Sequence, residues 1–317
     1  MRVLITGGAG FIGRWLAFKA VQAGHQVWIY DNLSVGSKAN LESMIQRLHL
    51  VEGDILEHEH LVSLFQQENF EVVYHLAAYH YIPFCEAHPT LTMRVNLEGT
   101  MSVLDACRQT NRPHLIFAST GALYPSVDTT LDEAMNLTVS DVYGLSKWMG
   151  EQAVQYYHHR YHLPCTIVRL FNTYGPYETN PHLLPHVIES LKAHPDYVEL
   201  GNIKPKRDYI YVEDVAEALL RLAEPSDTLR VFNIGTGNEY SVEEMIELIS
   251  QILEHPIRIV QDPERVRPVD KMHQRANITR LQSATGWTPK YDIHKGLRAL
   301  LQHEGLLTNE RSDGAEA

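Results

Sequence analysis

The chain has 317 residues, of which 44% are hydrophobic and 21% are charged, a composition typical of a globular protein with one or two domains. Lysine and arginine number 27 against 39 aspartate and glutamate residues, and the resulting net charge of −12 argues against a nucleic-acid or anionic-membrane binder. No apolar run reaches the roughly 18–20 residues of a membrane helix, and three widely spaced cysteines argue against a disulfide framework or a zinc ribbon. We therefore expect a cytoplasmic protein that binds neither nucleic acid nor membranes.

Short apolar runs alternate with amphipathic stretches through the first half of the chain. This alternation predicts βαβ units and a parallel sheet, and the nearly continuous apolar runs indicate strands covered on both faces. The sequence therefore predicts an α/β fold with a doubly wound parallel sheet and ligands at the carboxyl ends of its strands. Strands are predicted at Arg2–Thr6, Gln26–Asp31, Leu48–Glu52, Val72–Leu76, His114–Ser119 and Cys165–Leu170, and helices at Phe11–Ala23, Leu91–Gln109 and Tyr143–Tyr161.

After about residue 175 the alternation becomes irregular. A loop at 175–181 precedes predicted helices at Leu183–Ala193, Val212–Leu222 and Ser241–Leu253, the last with a capping box formed by Ser241 and Glu244. Val231–Ile234 is predicted as a strand that returns to the sheet. We thus predict a first domain at 1–175, with 212–238 returning to it, and a smaller, discontinuous second domain at 176–211 and 239–307. The polar residues 308–317 are predicted to be a disordered tail.

A glycine-rich turn follows the first predicted strand. Gly7, Gly10 and Gly13 have the spacing GxxGxxG, and the turn leads directly into a helix. Backbone N–H groups at such a helix N-terminus bind a pyrophosphate, which the helix dipole favours. Asp31 ends the second predicted strand, where a carboxylate accepts hydrogen bonds from ribose hydroxyls and repels a 2′-phosphate. These features predict that NAD binds in preference to NADP.

Tyr143 and Lys147 lie four residues apart and therefore on one face of a predicted helix. Beside a nicotinamide, the lysine ammonium and the cofactor's positive charge are expected to lower the pKa of the phenol toward neutrality. The phenolate would then accept a hydroxyl proton while hydride leaves the carbon. A hydroxyl partner is expected from Ser119-Thr120, at the end of the preceding strand.

Together these features resemble a known family. The motif set GxxGxxG, His75-Leu76-Ala77-Ala78, Asn96, Ser119-Thr120 and YxxxK is similar to that of the extended short-chain dehydrogenase/reductases, most of all the UDP-glucose 4-epimerase-like nucleotide-sugar epimerases and dehydratases. The resemblance covers Arg2 to about Leu301. It implies a Rossmann-type NAD-binding domain, a smaller C-terminal substrate domain and an NAD-dependent enzyme of carbohydrate metabolism. It also implies a homodimer that forms through the helices at 91–109 and 143–161.

The resemblance also assigns site residues. His80 stands where many epimerases have a cofactor-contacting lysine, so its role is left open, and Asn96 matches a largely structural asparagine. Catalysis is assigned to Thr120, Tyr143 and Lys147, and substrate binding to Thr120, Asn172, Arg207 and Arg267, whose two guanidinium groups suit a diphosphate. NAD binding is assigned to Gly7, Gly10, Phe11, Ile12, Gly13, Asp31, Asn32, Asp54, Ile55, Leu76, Ala77, Ala78, His80, Tyr143 and Lys147.

The residues after Thr120 discriminate between reactions. In the family that this sequence resembles, the 4,6-dehydratases carry Asp-Glu directly after this threonine, and the UDP-glucuronate decarboxylases carry a glutamate at the second of these positions. Here Gly121 and Ala122 stand at these positions, and neither transfers protons. We therefore expect an isomerase, a nucleotide-sugar 4-epimerase that acts through a transient 4-keto intermediate with Tyr143 as base and a UDP-sugar as substrate.

Other functions stay open at this point. A dehydratase, decarboxylase or 4-ketoreductase on the same scaffold requires an acid or base elsewhere, for which Glu178, Cys85, His182 and His186 are candidates. An NAD(P)-sensing regulator without turnover is disfavoured because both Tyr143 and Lys147 are present. No metal site is expected, since the histidines at 158–162 lack a matching carboxylate or cysteine and suit a helix C-terminus. The nucleotide base and the sugar are left undecided.

Overall fold

The computed structural model describes residues 1–266 and 270–307. The predicted tail at 308–317 lies outside the described residues. The strands, in chain order, are β1 (Arg2–Thr6), β2 (Gln26–Asp31), β3 (His49–Glu52), β4 (Val72–His75), β5 (His114–Thr120), β6 (Cys165–Leu170), β7 (Asn172–Tyr174), β8 (Tyr197–Leu200), β9 (Lys206–Arg207), β10 (Tyr209–Tyr211), β11 (Arg230–Ile234), β12 (Tyr240–Ser241) and β13 (Arg258–Gln261).

Seven of these strands form a parallel sheet in the order β11-β6-β5-β4-β1-β2-β3. The order reverses direction at β1, because the chain builds outward first through β2 and β3 and then through β4, β5 and β6. The predicted doubly wound parallel sheet is therefore confirmed. Val231–Ile234 returns to the sheet as predicted, since β11 pairs with β6 and aligns Phe232 with Val168.

Alternate residues of each central strand enter different cores. Val3 and Ile5 of β1 belong to one buried cluster, and Leu4 between them belongs to the other. In β5, Ile116 and Phe117 divide in the same way. A strand points successive side chains to opposite faces, so these apolar runs are continuous because both faces of the sheet are covered.

Helices cover both faces, with bounds as follows: α1 (Phe11–Gln22), α2 (His58–Glu68), α3 (Ile82–Ala87), α4 (Pro89–Met93), α5 (Gly99–Gln109), α6 (Val142–Tyr161), α7 (Leu183–Ala193), α8 (Val212–Arg221), α9 (Val242–Leu253), α10 (Thr279–Thr285) and α11 (Ile293–His303). Ser241 caps α9 with Glu244 in the predicted capping box. None of the helices in the described ranges has both the length and the apolar composition that crossing a bilayer requires.

The predicted helix at 91–109 is interrupted. Between α4 and α5 the chain forms a π-helical turn at Arg94–Glu98. The side chain of Asn96 in this turn is hydrogen-bonded to the backbone N–H and carbonyl of Tyr79. The backbone carbonyl of Asn96 accepts a hydrogen bond from the Thr100 hydroxyl. Such competing bonds displace the regular backbone ladder, so the periodicity predicted the helix and missed the widened turn.

A third core cluster forms from the later part of the chain. It joins Tyr174 and Leu184 to residues of α9 and α11, such as Ile249 and Leu297. Short strand pairs accompany it, namely β7 with β10, β8 with β13 and β9 with β12. The division into domains at residues 175, 211 and 238 stays a prediction.

Candidate active site

A cavity of about 1190 Å³ lies at the carboxyl ends of the central strands. Its position agrees with the rule that open parallel sheets bind ligands outside these ends. Every predicted site residue that the structure describes lines it, whereas Arg267 lies outside the described residues. These lining residues are Gly7, Gly10, Phe11, Ile12, Gly13, Asp31, Asn32, Asp54, Ile55, Leu76, Ala77, Ala78, His80, Thr120, Tyr143, Lys147, Asn172 and Arg207.

The glycine loop has no room for side chains. Gly7 has a φ of +71°, and a Cβ there would lie 2.7 Å from the backbone nitrogen of Ala77. A Cβ on Gly13 would lie 2.3 Å from the carbonyl oxygen of Gly7. Gly10 precedes α1 without a side-chain cap, so the first N–H groups of α1 are left for a ligand. This cradle fits a pyrophosphate.

Asp31 connects the end of β2 to the glycine loop. Its Oδ2 accepts a hydrogen bond from the Ala9 N–H at 3.0 Å, and its Oδ1 accepts one from the Leu33 N–H at 2.8 Å. Burial raises the pKa of this carboxyl, and the two backbone bonds partly offset the increase. A carboxylate has about four lone-pair sites, so the bonds leave acceptor capacity for ribose hydroxyls.

The neighbouring acid and amide are also ordered. The Asn32 side-chain amide donates to Asp54 at 2.9 Å, and Asp54 accepts a second bond from the Leu56 N–H. Asp31, Asn32 and Asp54, all assigned to NAD binding, therefore form one preorganised edge of the cavity.

Thr120, Tyr143 and Lys147 converge from two elements. Thr120 ends β5, and Asp141 caps α6 by accepting a hydrogen bond from the Gly144 N–H, which places Tyr143 in the first turn. Thr120 faces the Tyr143 phenol closely enough to oppose the rise in its pKa. Lys147, only 4% exposed, donates from Nζ to the Ala118 carbonyl at 2.8 Å. The carboxyl end of β5 and the first turns of α6 thus bring together groups that lie at most 27 positions apart in the sequence.

The pKa of Tyr143 in the protein alone differs from the expected value near neutrality. Burial raises the pKa of Tyr143, and the bond to Thr120 offsets only part of that increase. Burial also lowers the pKa of Lys147 to about 8. The protein groups alone therefore do not lower the phenol's pKa, because desolvation opposes the charged form of both side chains.

A buried ion pair lies behind the catalytic candidates. Arg169 donates to both carboxylate oxygens of Glu151, at 2.9 and 2.8 Å, and the Ser119 hydroxyl donates to the same carboxylate at 2.5 Å. Ser119 thus belongs to this supporting network, whereas its neighbour Thr120 faces Tyr143. The strand's alternation separates the two hydroxyls.

Cations line the far part of the cavity, where the sequence assigned a diphosphate. Arg207 donates to Asp270 at 2.5 Å and to the Lys271 carbonyl at 2.6 Å. Lys271 and Arg265 also line the cavity. Sequence reasoning missed both, because neither belongs to a local motif and only the fold places them in the cavity.

Comparison with known proteins gives three close parallels. A model of the NAD dependent epimerase/dehydratase family matches residues 3–235. The UDP-glucose 4-epimerase of Mycolicibacterium smegmatis is 31% identical over 94% of this chain and 96% of its own length. The crystal structure of the Thermus thermophilus UDP-glucose 4-epimerase with NAD has a TM-score of 0.86 at 30% identity, covering 96% of this chain and 99% of its own.

The UDP-glucose 4-epimerase of Thermotoga maritima, solved with UDP-glucose, has a TM-score of 0.88 at 28% identity, covering 96% of this chain and 98% of its own. Relatives at 28% identity also include enzymes that catalyse other reactions, namely UDP-glucuronic acid decarboxylases and dTDP-D-glucose 4,6-dehydratases. Similarity therefore leaves the reaction to be argued from the site.

Proposed function

This chain belongs to the NAD-dependent epimerase/dehydratase family, and we propose that within it the protein is a UDP-sugar 4-epimerase that acts through a transient 4-keto sugar. One observation carries the proposal. Gly121 and Ala122 line the cavity directly after Thr120, so the site has a complete set for oxidation and re-reduction but no acid or base at these two positions.

The cofactor site is assigned to the glycine loop and the edge formed by Asp31, Asn32 and Asp54. The N–H groups at the start of α1 bind the pyrophosphate, and Asp31 accepts the ribose hydroxyls and disfavours a 2′-phosphate. Bound NAD supplies a reversible hydride acceptor for the sugar's C4. Gly7 and Gly13 would let the pyrophosphate approach the backbone, because the backbone is packed so closely here that neither position has room for a Cβ.

Tyr143 is assigned as the base. Its phenolate accepts the proton of the C4 hydroxyl, and Thr120 holds that hydroxyl in line by hydrogen bonding. Because burial raises the pKa of Tyr143, the phenolate requires a positive charge beyond the protein groups, which we assign to the oxidised nicotinamide. Lys147 orders the phenol's surroundings, since its ammonium is fixed to the Ala118 carbonyl.

Epimerisation further requires that the keto sugar turn within the cavity before Tyr143 returns the proton. Anchoring by the diphosphate allows this, because it holds the substrate at a point away from the reacting carbon. We assign the anchor to Arg207 and Asn172, which line the cavity, and to Arg267. A guanidinium binds phosphate oxygens in a forked geometry, and Asp270 keeps that of Arg207 oriented.

Product analysis tests the proposal. Purified protein is incubated with NAD and UDP-glucose, UDP-galactose or UDP-glucuronate, and the products are identified by NMR. A C4 diastereomer is expected. A 4-keto-6-deoxy sugar would instead indicate a dehydratase, a UDP-pentose would indicate a decarboxylase, and no conversion of any sugar would favour an NAD(P)-sensing regulator.

A variant pair connects turnover to the assigned base. Tyr143→Phe is expected to lower kcat by about 100-fold or more, the lower range for a lost general base, while NAD stays bound. Tyr156→Phe removes a hydroxyl from the same helix at a side chain that is 57% exposed and is expected to keep the wild-type rate. Equal rates for Tyr143→Phe and the wild type would reject Tyr143 as the base.

A further inference from the structure

One wall of the cavity takes no part in the proton transfer above, although the family resemblance assigned one of its residues, His80, to NAD binding. It is formed by Glu178, Asn180 and His182, which follow β7, and by His80, which follows β4. The rings of His80 and His182 lie 5.7 Å apart, and His182 also lies 5.6 Å from the ring of Tyr81. We refer to Glu178, Asn180, His182 and His80 as the polar wall.

The segment that carries Glu178, Asn180 and His182 is held in place by contacts with α1. Tyr177 has a φ of +72°, a backbone conformation that residues other than glycine rarely adopt. The guanidinium of Arg14, 9% exposed, lies 3.5 Å from the centre of the Tyr177 ring, and the Trp15 indole donates to the Pro176 carbonyl at 3.2 Å. Two α1 side chains therefore hold a strained residue directly before Glu178, which indicates that the position of its carboxylate is enforced.

Glu178 lines the cavity and is hydrogen-bonded to His182 through one of its two carboxylate oxygens. Its side chain is only 5% exposed, and His182 Nδ1 donates to Oε1 at 2.5 Å. Within the described ranges, no protein donor is recorded at Oε2. Burial raises the pKa of Glu178, and the His182 bond only partly offsets this. Because Glu178 lines the cavity and a carboxylate oxygen only accepts hydrogen bonds, a ligand that donates a hydrogen bond here is favoured.

The rest of the wall has the same polarity. Burial lowers the pKa of His80 to about 4, so its ring is neutral near pH 7. The Asn180 amide donates to His80 Nε2 at 2.9 Å, which leaves the Asn180 carbonyl oxygen as an acceptor. Acceptors therefore outnumber donors on this wall, and hydroxyl groups are the complementary ligand groups.

Among the described residues, the lysines of the cavity donate to backbone carbonyls and not to Glu178, although the charge of Lys147 contributes to the lowered pKa of His80. Lys147 donates to the Ala118 carbonyl, and Lys271 donates to the carbonyls of Ala122 and Tyr124. In the part of the chain that the structure describes, the recorded ion pair of Glu178 is with His182, and no lysine or arginine pairs with it. Within the described ranges, a second carboxylate brought to this wall would meet Glu178 with only His182 as the ion-pair partner.

We propose that the polar wall, with Glu178 at its centre, is a specificity element that binds the hydroxyls of a neutral hexose and rejects a hexuronic acid. The inference rests on the proposed function, because it assumes that the sugar of a UDP-sugar reaches this wall. Glu178 here is a sugar-binding residue and takes no part in the proton transfer at C4.

Binding measurements with NAD-loaded protein test the inference. Titration calorimetry with UDP-glucose and UDP-glucuronate gives the ratio of the two Kd values. Wild-type protein is expected to favour UDP-glucose, and Glu178→Gln, which keeps the shape and removes the charge, is expected to reduce that ratio by about tenfold. Most of the change should come from tighter binding of UDP-glucuronate.

Glu199→Gln is the matched control, because Glu199 lines the rim of the same cavity with an exposed side chain. It removes the same charge and is expected to leave the ratio as in the wild type. A wild type that prefers UDP-glucuronate, or a Glu178→Gln variant that weakens both ligands equally, would overturn the inference.

Turnover separates this inference from the proposed function. If no UDP-sugar is epimerised but the Kd ratio still responds to Glu178→Gln alone, the epimerase proposal fails and the specificity element stands. If a C4 epimer forms and the Kd ratio does not respond to Glu178→Gln, the epimerase proposal stands and the specificity element fails. Formation of a 4-keto-6-deoxy sugar that Glu178→Gln abolishes would assign Glu178 to acid–base chemistry and overturn the specificity role.

Discussion

His75 and His114 show how single residues outside the catalytic set shape the protein's response to pH. The ring of His75 lies between the hydroxyls of Thr6 and Thr100, at 2.7 and 2.9 Å. His114 lies between the Ala223 carbonyl and the Thr166 hydroxyl, at 3.0 and 2.9 Å. Burial lowers the pKa of His75 to about 3 and that of His114 to about 4. Both rings are therefore neutral near pH 7 and hydrogen-bonded to the groups on either side of them.

These histidines predict acid sensitivity. Between about pH 4 and the unfolded-state value of about 6.5, the unfolded chain binds a proton at His114 that the folded protein does not. The free energy of unfolding therefore falls as the pH falls through this window. Asp208 acts in the opposite direction, because burial raises its pKa to about 6, so the contribution of one histidine must be measured as a difference.

We expect His114→Gln to reduce the slope of unfolding free energy against pH by about 1 kcal/mol per pH unit between about pH 5 and 6. Urea unfolding followed by circular dichroism gives this slope. His159→Gln, at an exposed position of α6, controls for the loss of a histidine. An unchanged slope in His114→Gln would mean that the buried ring is protonated in the folded protein.

At the scale of the element, the glycine loop couples backbone conformation to cofactor binding. Gly7 and Gly24 both have positive φ, +71° and +79°. They differ in their surroundings, since a Cβ on Gly7 would lie 2.7 Å from the backbone of Ala77, whereas nothing lies within 4 Å of a Cβ on Gly24. The pair separates backbone strain from steric contact.

Gly7→Ala is expected to lose NAD binding, because its Cβ would displace the backbone that follows β4 from the cofactor site. Gly24→Ala is expected to lower stability by only about 1–2 kcal/mol, the strain of a left-handed alanine, and to bind NAD normally. Fluorescence titration with NADH and thermal unfolding measure the two effects. Equal NADH affinity in the two variants would contradict the steric role of Gly7.

At the scale of the whole molecule, the net charge of −12 does not exclude anionic ligands. Lys147, Arg207, Arg265 and Lys271 all line one cavity, and backbone N–H groups add further positive potential at the start of α1. The lining also contains six acidic residues, namely Asp31, Asp54, Asp141, Glu178, Glu199 and Asp270, so the cavity is not cationic as a whole. We therefore expect anionic ligands to be bound at individual cations and N–H groups, which the fold gathers from segments far apart in the sequence.

The surface of the molecule also supports the predicted homodimer. Among the described residues, five of the ten large hydrophobic side chains that are exposed lie on α4, α5 and α6: Leu91, Met101, Leu145, Trp148 and Tyr156. Exposed apolar groups concentrated on neighbouring helices are typical of a protein interface. We propose that a second copy of the chain covers them.

Trp148→Glu is expected to convert a dimer into a 36.2 kDa monomer, because a charge in the centre of an apolar interface has no partner. Light scattering coupled to size exclusion measures the mass. Val266→Glu, at a side chain that is 42% exposed outside these helices, is the control and should remain dimeric. A monomeric wild type would reject the interface.

Much of the fold was predictable because its signals are local. Each central strand is a short apolar run that both faces of the sheet bury, and Gly7, Gly10 and Gly13 directly precede a helix. The strands β7 to β10, β12 and β13 were not predicted. They have two to four residues and pair with distant segments, such as β9 with β12, so no local period indicates them.

The sequence by itself determined the seven strands of the main sheet in chain order, the glycine spacing and the placement of Tyr143 and Lys147 on one helix face, since these depend on neighbours within a few residues. Only the tertiary structure decided that Thr120 faces Tyr143 while Ser119 binds Glu151. It alone showed that burial raises the pKa of Tyr143 and that Glu178 enters the cavity beside His182. The physical reason is that burial and charge pairing depend on groups that are remote in the chain, and folding alone brings these groups within contact distance.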